Sequence, residues 1–125
     1  MGSAAMGEEV PDWARPVVHF EITARDPERL RAFYSELFNW GIGDGPIMQI
    51  PAGIGGPEPG PAGHIRAAEH SGVSLYVQVR DLEATLARVV ELGGEVVVER
   101  FQIPDGPTLA FVTDPEGIPL SLVQQ

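Results

Sequence analysis

The 125-residue sequence contains no cysteine. This absence excludes disulfides, thiolate metal ligands and cysteine nucleophiles, and it is typical of a cytoplasmic protein. The sequence also lacks any apolar run approaching the ~20 residues that a membrane-spanning helix needs. No basic and apolar leader is recognisable, so we expect neither a signal peptide nor a membrane association.

Basic residues are scarce, with 8 against 18 acidic ones and a formal net charge of −10. A surface of this charge repels a phosphate backbone, which argues against nucleic-acid binding. Its long-range field would favour a cationic ligand, or it keeps the protein soluble as a solvated acidic surface. The length fits one domain.

The most informative stretch is residues 17–41, which predicts a strand followed by a capped helix. Val17–Thr23 is rich in β-branched and aromatic residues, as strands are. Alternation gives this strand a mixed face that carries His19 and Glu21. Its opposite, apolar face should pack under the helix and consists of Val18, Phe20 and Ile22.

The helix that follows has recognisable ends. Asp26 is a suitable N-cap, with Pro27 at the first helical position, and Asn39 and Gly41 suit its end. An apolar stripe at helical spacing runs along it: Leu30, Phe33, Tyr34 and Leu37. We expect its aromatic side chains to belong to the core, namely Phe33, Tyr34 and Phe38.

A weaker copy of this stretch begins 55 positions later. Arg25-Asp26 corresponds to Arg80-Asp81, Glu36-Leu37 to Glu91-Leu92, and His19 to Ser74. Such a repeat sets the architecture. It predicts two similar modules of one domain, spanning about residues 13–70 and 71–125, after a flexible arm at 1–12.

The remaining segments complete each module. Pro46–Ile50 predicts a short strand, Pro51–Gly63 a long proline- and glycine-rich loop, and Gly63–Ala67 an edge strand. The second module begins with a strand whose apolar face is Val73, Leu75, Val77 and Val79. A helix expected to bury Leu82, Leu86, Val89 and Val90 follows. Three further strands end the chain, so the second module is βαβββ and the first a degenerate version of it.

The ordered set of motifs resembles the vicinal oxygen chelate superfamily, which includes glyoxalase I, bleomycin-resistance proteins and extradiol dioxygenases. The motifs are an opening-strand His followed seven residues later by Asp, a Phe-Tyr pair in the first helix, a Leu-Gly-Gly helix end and an Asp-Pro-Glu-Gly hairpin. The resemblance implies an α+β fold in which two tandem βαβββ modules form a cupped, open-barrel mixed sheet with the helices outside. It makes residues 13–125 a single glyoxalase-like domain, usually in a homodimer.

The resemblance also implies where metal ligands stand in the metal-using members. The opening-strand ligand falls on His19, but the corresponding position of the second module is Ser74. The closing-strand carboxylate position falls on Ser121, and the remaining ligand position falls near His64 or Glu69. A catalytic metal needs about three protein ligands. We therefore expect the metal site of the family to be lost.

Each candidate residue has alternatives that the sequence leaves open. His19 is a metal ligand, a general base, a ligand-binding donor, or a hydrogen-bonded histidine in a partly buried pocket. Glu21 is a base, the acidic partner of His19, or a solvated residue. Trp40 lies either at the pocket edge or in the core. We expect His64 to be exposed on a loop.

The preferred interpretation is a protein that binds an unknown small molecule in the cavity of the sheet, without a cofactor and with no assigned catalytic residue. The expected contacts come from polar and aromatic residues facing that cavity: His19, Glu21, Trp40, Ser74, Tyr76, Gln78 and Ser121. One version, implied by the resemblance, is an acidic dimer that sequesters a cationic drug.

Two alternatives remain. One is a divalent-metal-dependent lyase, isomerase or dioxygenase in which His19 and His64 hold the metal. The other is a structural or regulatory partner without a ligand. The serines are not expected nucleophiles, because no nucleophile-elbow motif accompanies them.

Overall fold

The computed structural model describes residues 13–53 and 60–124. The predicted arm at 1–12 and residues 54–59 of the predicted loop lie outside the described residues. Within them the elements are, in chain order, β1 (Val17–Ala24), α1 (Pro27–Phe38), β2 (Ile47–Ile50), β3 (Ala62–Ala67), β4 (Gly72–Val79), α2 (Leu82–Glu91), β5 (Glu95–Gln102), β6 (Thr108–Thr113) and β7 (Pro119–Gln124).

The strands form one curved, open mixed sheet in the order β2-β3-β1-β4-β7-β6-β5. At its centre β1 and β4 pair antiparallel, and each has a parallel partner on its outer side, β3 and β7 respectively. The prediction of an α+β cupped sheet is confirmed. In the described residues the first module contributes βαββ and the second βαβββ, which agrees with the predicted degeneracy.

Both helices begin where the sequence predicts, at an aspartate cap. The Asp26 carboxylate accepts a hydrogen bond from the Arg29 backbone N–H at 3.2 Å, and Asp81 accepts one from Ala84 at 3.1 Å. Asn39 ends α1 in the left-handed conformation at φ 60°. In the described part of the chain, neither helix has the length and apolarity needed to cross a membrane.

Each helix covers its own apolar core on one side of the sheet. The first core lies beneath α1 and contains Ile22, Ala24, Ile42, Met48, Ile50 and Ile65. The second lies beneath α2 and contains Val79, Leu82, Leu86, Ala110, Val112 and Leu122. The opposite face of the sheet, which carries His19 and Glu21, is thereby left for a site.

Several predicted core residues are in fact exposed. Phe33 and Phe38 on α1 are 55% and 52% exposed, and Leu37 is also exposed, because Leu30, Tyr34 and Trp40 already cover the sheet there. The predictions for Phe33 and Phe38 were therefore wrong. The same holds for Val90. Val73 and Leu75, on the apolar face predicted for β4, are also exposed.

The strand β3 was predicted at the sheet edge, and this was wrong because β2 forms a hairpin on its outer side. Instead β3 lies between β2 and β1, where Gly63 is the partner of Phe20. A Cβ atom at Gly63 would lie 2.6 Å from the Phe20 ring. Glycine is thus required for the close packing of this aromatic ring on the strand.

Candidate functional site

A chain of hydrogen bonds links three side chains on the open face of the sheet. The parallel register of β1 and β3 places Glu21 beside His64. The His64 Nε2 lies 2.9 Å from the Glu21 Oε2, and the His64 Nδ1 lies 2.8 Å from the His19 Nε2. Glu21 and His64 are both buried. The buried carboxylate is therefore connected to His19 through the His64 ring.

Arg66 neutralises this carboxylate from the other side. Its Nε donates to the Glu21 Oε2 at 2.6 Å, and its Nη2 donates to Oε1 at 3.4 Å. The hydrogen bond from His64 is the largest cause that lowers the pKa of Glu21, with Arg66 next, and together they outweigh burial and bring the pKa to about 2. Glu21 is therefore ionised at neutral pH.

The rings of His19, His64 and Tyr76 form a cluster in which each ring is close to the other two. The His19 ring centroid is 5.0 Å from the His64 ring centroid and 5.1 Å from that of Tyr76, which it meets edge to face. Burial and the proximity of His64 lower the pKa of His19, although the Glu21 charge acts in the opposite direction. A lowered pKa favours the neutral imidazole.

Tyr76 and Ser121 form a second polar pair beside the first. They are register partners on β4 and β7, and the Ser121 hydroxyl is close enough to influence the pKa of Tyr76. Burial and the Glu21 charge raise the pKa of Tyr76, while the Ser121 hydroxyl opposes that shift. The phenol therefore stays protonated and able to donate.

His19, His64 and Tyr76 line a cavity of about 510 Å³. Gln49 is a further polar lining residue. The other walls are apolar, and most of them come from the second module: Val18, Ile47, Ile103, Pro107, Leu109 and Val123. A cavity of this size, mostly apolar with a few polar groups, has the usual features of a small-molecule site.

Only some of the predicted site residues line this cavity. His19 and Tyr76 line it, Glu21 is a buried hydrogen-bonding partner of His64, and Ser121 is the buried register partner of Tyr76. Ser74 is the cross-strand partner of Glu21 and is half-buried. It does not belong to the described cavity lining.

Two other predicted contacts also lie off the cavity lining. Gln78 is half-buried further along β4. Trp40 packs on the first core, where its ring centroid is 5.4 Å from Tyr34 and 6.2 Å from Phe20. Trp40 therefore adopts the core position that the sequence left open as an alternative.

Sequence reasoning missed the role of His64, which is buried on β3 and not exposed on a loop. Its neighbour Ile65 is fully buried on the helix side, so alternation turns His64 and Arg66 to the face of Glu21. The pattern His-Ile-Arg was a signal for this arrangement. Val18 was also assigned to the wrong face, since the β1–β4 pairing is irregular between Val17 and His19.

The donor set here does not fit the metal site that the family resemblance implies. The resemblance puts His19 at one ligand position and His64 or Glu69 near another, and the other two positions carry hydroxyls, Ser74 and Ser121. Glu69 is exposed. Among residues 13–53 and 60–124, no group of three or more His, Cys, Asp or Glu side chains is placed to hold a metal ion. A catalytic metal needs about three protein ligands.

The cupped sheet, the paired modules and the site on its open face define a protein of the vicinal oxygen chelate class. The family model described as "Glyoxalase-like domain" matches residues 18–123. The chain therefore belongs to the glyoxalase-like domain family.

Relatives and solved structures agree with this assignment. The chain is 27% identical over 123 residues to the candidate glyoxylase CFP32 of Mycobacterium tuberculosis, covering 91% of this chain and 45% of the relative. It thus spans about half the length of that protein. A glyoxalase/bleomycin resistance protein/dioxygenase superfamily member from Vibrio splendidus has a TM-score of 0.65 at 17% identity, covering 90% of this chain and 100% of the other.

A second solved structure, methylmalonyl-CoA epimerase from Mycobacterium tuberculosis, has a TM-score of 0.60 at 17% identity and covers 86% of each chain. At these identities the two structures establish the shared fold alone. The family and the fold are therefore fixed, while the chemistry must be argued from the residues of this chain.

Proposed function

We propose that the protein binds a small, mostly apolar organic molecule in the cavity lined by His19 and Tyr76. The observation that carries this proposal is the position of these polar side chains in a cavity of about 510 Å³ with otherwise mainly apolar walls. The apolar walls would supply most of the affinity through burial, and the polar groups would orient the ligand.

We further propose that binding does not require a resident divalent metal. The donor set supports this proposal, because His64 has both ring nitrogens engaged, one by Glu21 and one by His19. The rival is a metal-dependent enzyme with His19 and His64 as ligands, and the name of the relative CFP32, a candidate glyoxylase, favours an enzyme. A homodimer that sequesters a cationic drug remains a version of the binding proposal, in keeping with the acidic charge.

The test blocks the cavity without disturbing the core. Ile103 lines the cavity and is 39% exposed, so Ile103→Trp fills space at its mouth. Ile118→Trp is the matched control, since Ile118 is exposed and does not line the cavity. Thermal melting is followed with a panel of neutral, cationic and anionic aromatic compounds. A ligand at 100 times its Kd stabilises the folded state by about 2.7 kcal/mol.

We expect at least one compound to raise the Tm of the wild type and of Ile118→Trp, and to leave the Tm of Ile103→Trp unchanged. Equal shifts in both variants would place binding elsewhere and contradict the proposal. Melting in chelator and with Ni²⁺, Zn²⁺, Mn²⁺ and Fe²⁺, with elemental analysis, tests the rival. A stoichiometric metal that His19→Ala loses would overturn the metal-free part of the proposal.

A further inference from the structure

When both imidazole rings are neutral, the hydrogen-bond chain fixes where their protons lie. An ionised carboxylate only accepts hydrogen bonds, so the His64 Nε2, at 2.9 Å from Glu21, carries a proton. When the imidazole is neutral, the His64 Nδ1 then has a lone pair. The His19 Nε2, 2.8 Å away, must donate to it. Only this arrangement satisfies both contacts with two neutral rings.

In this arrangement of two neutral rings, the remaining nitrogen of His19, Nδ1, is unprotonated. No hydrogen bond joins it to another group in the described ranges 13–53 and 60–124. The His19 ring lines the cavity, and its other nitrogen is occupied by His64. The ring therefore offers a ligand an acceptor and cannot offer a donor in this tautomer.

The described cavity lining contains no arginine. The nearby Arg66 is engaged by Glu21 through two nitrogens, so its charge is already compensated. An anionic ligand would thus lose its hydration on entering without gaining a cationic partner. A ligand N–H or O–H, in contrast, would meet the His19 acceptor.

We infer that the cavity selects non-anionic ligands that donate an N–H or O–H to His19, and that Glu21 and His64 are positioning residues which hold His19 in the accepting tautomer. This inference rests on the proposed function and specifies its ligand class. It follows from the Arg66–Glu21–His64–His19 hydrogen-bond chain and the apolar cavity that His19 lines.

The first experiment reads the tautomers directly in the wild-type protein at about pH 8, above the ordinary histidine pKa. Long-range ¹H–¹⁵N correlation spectra distinguish protonated from unprotonated ring nitrogens. The sequence has three histidines, and His70→Gln assigns the exposed one. We expect His19 and His64 each to carry the proton on Nε2. A proton on the Nδ1 of His19 would overturn the inference.

The second experiment compares indole with 1-methylindole, by titration followed in ¹H–¹⁵N spectra. Indole can donate through its single N–H but cannot accept a conventional hydrogen bond, and methylation removes the donor. We expect the ratio of the 1-methylindole Kd to the indole Kd to be roughly five times larger in the wild type than in His19→Phe. A factor of this size is the usual net contribution of one hydrogen bond. His19→Phe keeps an aromatic ring of similar size and lacks the acceptor.

The outcomes separate the inference from the proposal on which it rests. Binding of both probes with the same ratio in wild type and His19→Phe would overturn the inference but leave cavity binding intact. If neither probe binds, nor any compound of the aromatic panel, the proposed function fails and the inference fails with it. The expected tautomers together with a donor preference that depends on His19 would support both.

Discussion

Module one pairs Glu21 with His64 across its parallel strands, whereas module two pairs Tyr76 with Ser121 at the equivalent place. The repeat of 55 positions that relates β1 to β4 makes Tyr76 the equivalent of Glu21. Both pairs lie on the open face of the sheet, and the pair of module one is hydrogen-bonded. The same backbone positions thus hold a pair with an ionised carboxylate in one module and a pair of neutral side chains in the other.

The difference shows that two modules with the same backbone arrangement contribute different chemical groups to the site. A buried carboxylate is costly to desolvate unless it is paired, and module one supplies both His64 and Arg66 for that purpose. The neutral Tyr76–Ser121 pair needs no counter-ion. Module two also gives most of the apolar cavity walls. One module therefore carries the charge-dependent part of the site, and the other carries the apolar part.

Removing the Glu21 carboxylate of module one should have the largest effect on stability. Glu21→Ala leaves His64 without its buried partner and Arg66 without its ion pair. We expect a loss of about 3–5 kcal/mol in the free energy of unfolding, measured with urea. Ser121→Ala is the matched change in module two and should cost about 1 kcal/mol. Equal losses would show that the charged pair is no more important than the neutral one.

The second-largest difference between the modules should appear in how the free energy of unfolding depends on pH. The pKa of Glu21 is lowered in the folded state from 4.5 to about 2, so the unfolded chain binds its proton first as the pH falls. The resulting stabilisation, about 3 kcal/mol, is complete above pH ~4.5 and is lost towards pH ~2.

Urea unfolding of wild type and Glu21→Gln from about pH 6 to about pH 3 measures this effect. The difference in unfolding free energy between them should shrink steadily as the pH falls. Tyr76→Phe should instead differ from wild type by a constant amount over this range. A constant difference for Glu21→Gln as well would contradict the lowered pKa.

A third comparison between the modules concerns packing on the face of the sheet that the helices cover. Gly63→Ala places a methyl group 2.6 Å from the Phe20 ring, and we expect a loss of about 1–3 kcal/mol in urea unfolding. Gly60→Ala is the control, because a Cβ there meets nothing within 4 Å. Gly63 precedes His64, and the equivalent position of module two, before Ser121, is Leu120. The requirement for glycine therefore applies to module one alone. A neutral Gly63→Ala would mean that Phe20 can move aside.

The helix caps should give the smallest effects. Asp26→Ala and Asp81→Ala each remove a side-chain acceptor at a helix start, and each should cost about 1 kcal/mol in thermal or urea unfolding. Asp81→Ala should cost the more, because α2 buries Leu82 in its first turn. Serine at either position should restore most of the loss. A larger effect at Asp26 would reverse the proposed order.

Much of the fold was predictable because its signals are local. The aspartate caps, the Asn39 stop and the alternating strands depend on residues within a few positions of one another, and the structure confirms them. The 55-residue repeat predicted the two modules. The exposure of Phe33 and Phe38 was not predictable, because an apolar stripe does not tell which of its residues reach the sheet.

The site was predictable only in part, for a related reason. The mixed face of β1 marked His19 and Glu21, and the resemblance marked Ser74 and Ser121. The partners of Glu21 come from β3, more than 40 residues away, and only the strand register brings them together. The cavity walls at Ile103, Pro107 and Leu109 come from the far end of the sheet.

The sequence by itself therefore determined the elements, their repeat and the family of this protein, since caps, periodicity and motif order are properties of neighbouring residues. The tertiary structure decided that His64 is buried, that Arg66 neutralises Glu21 and that His19 lines a cavity. These features depend on which strands are neighbours and on how the sheet curves. Long-range pairing sets both, and no local stretch of the chain encodes them.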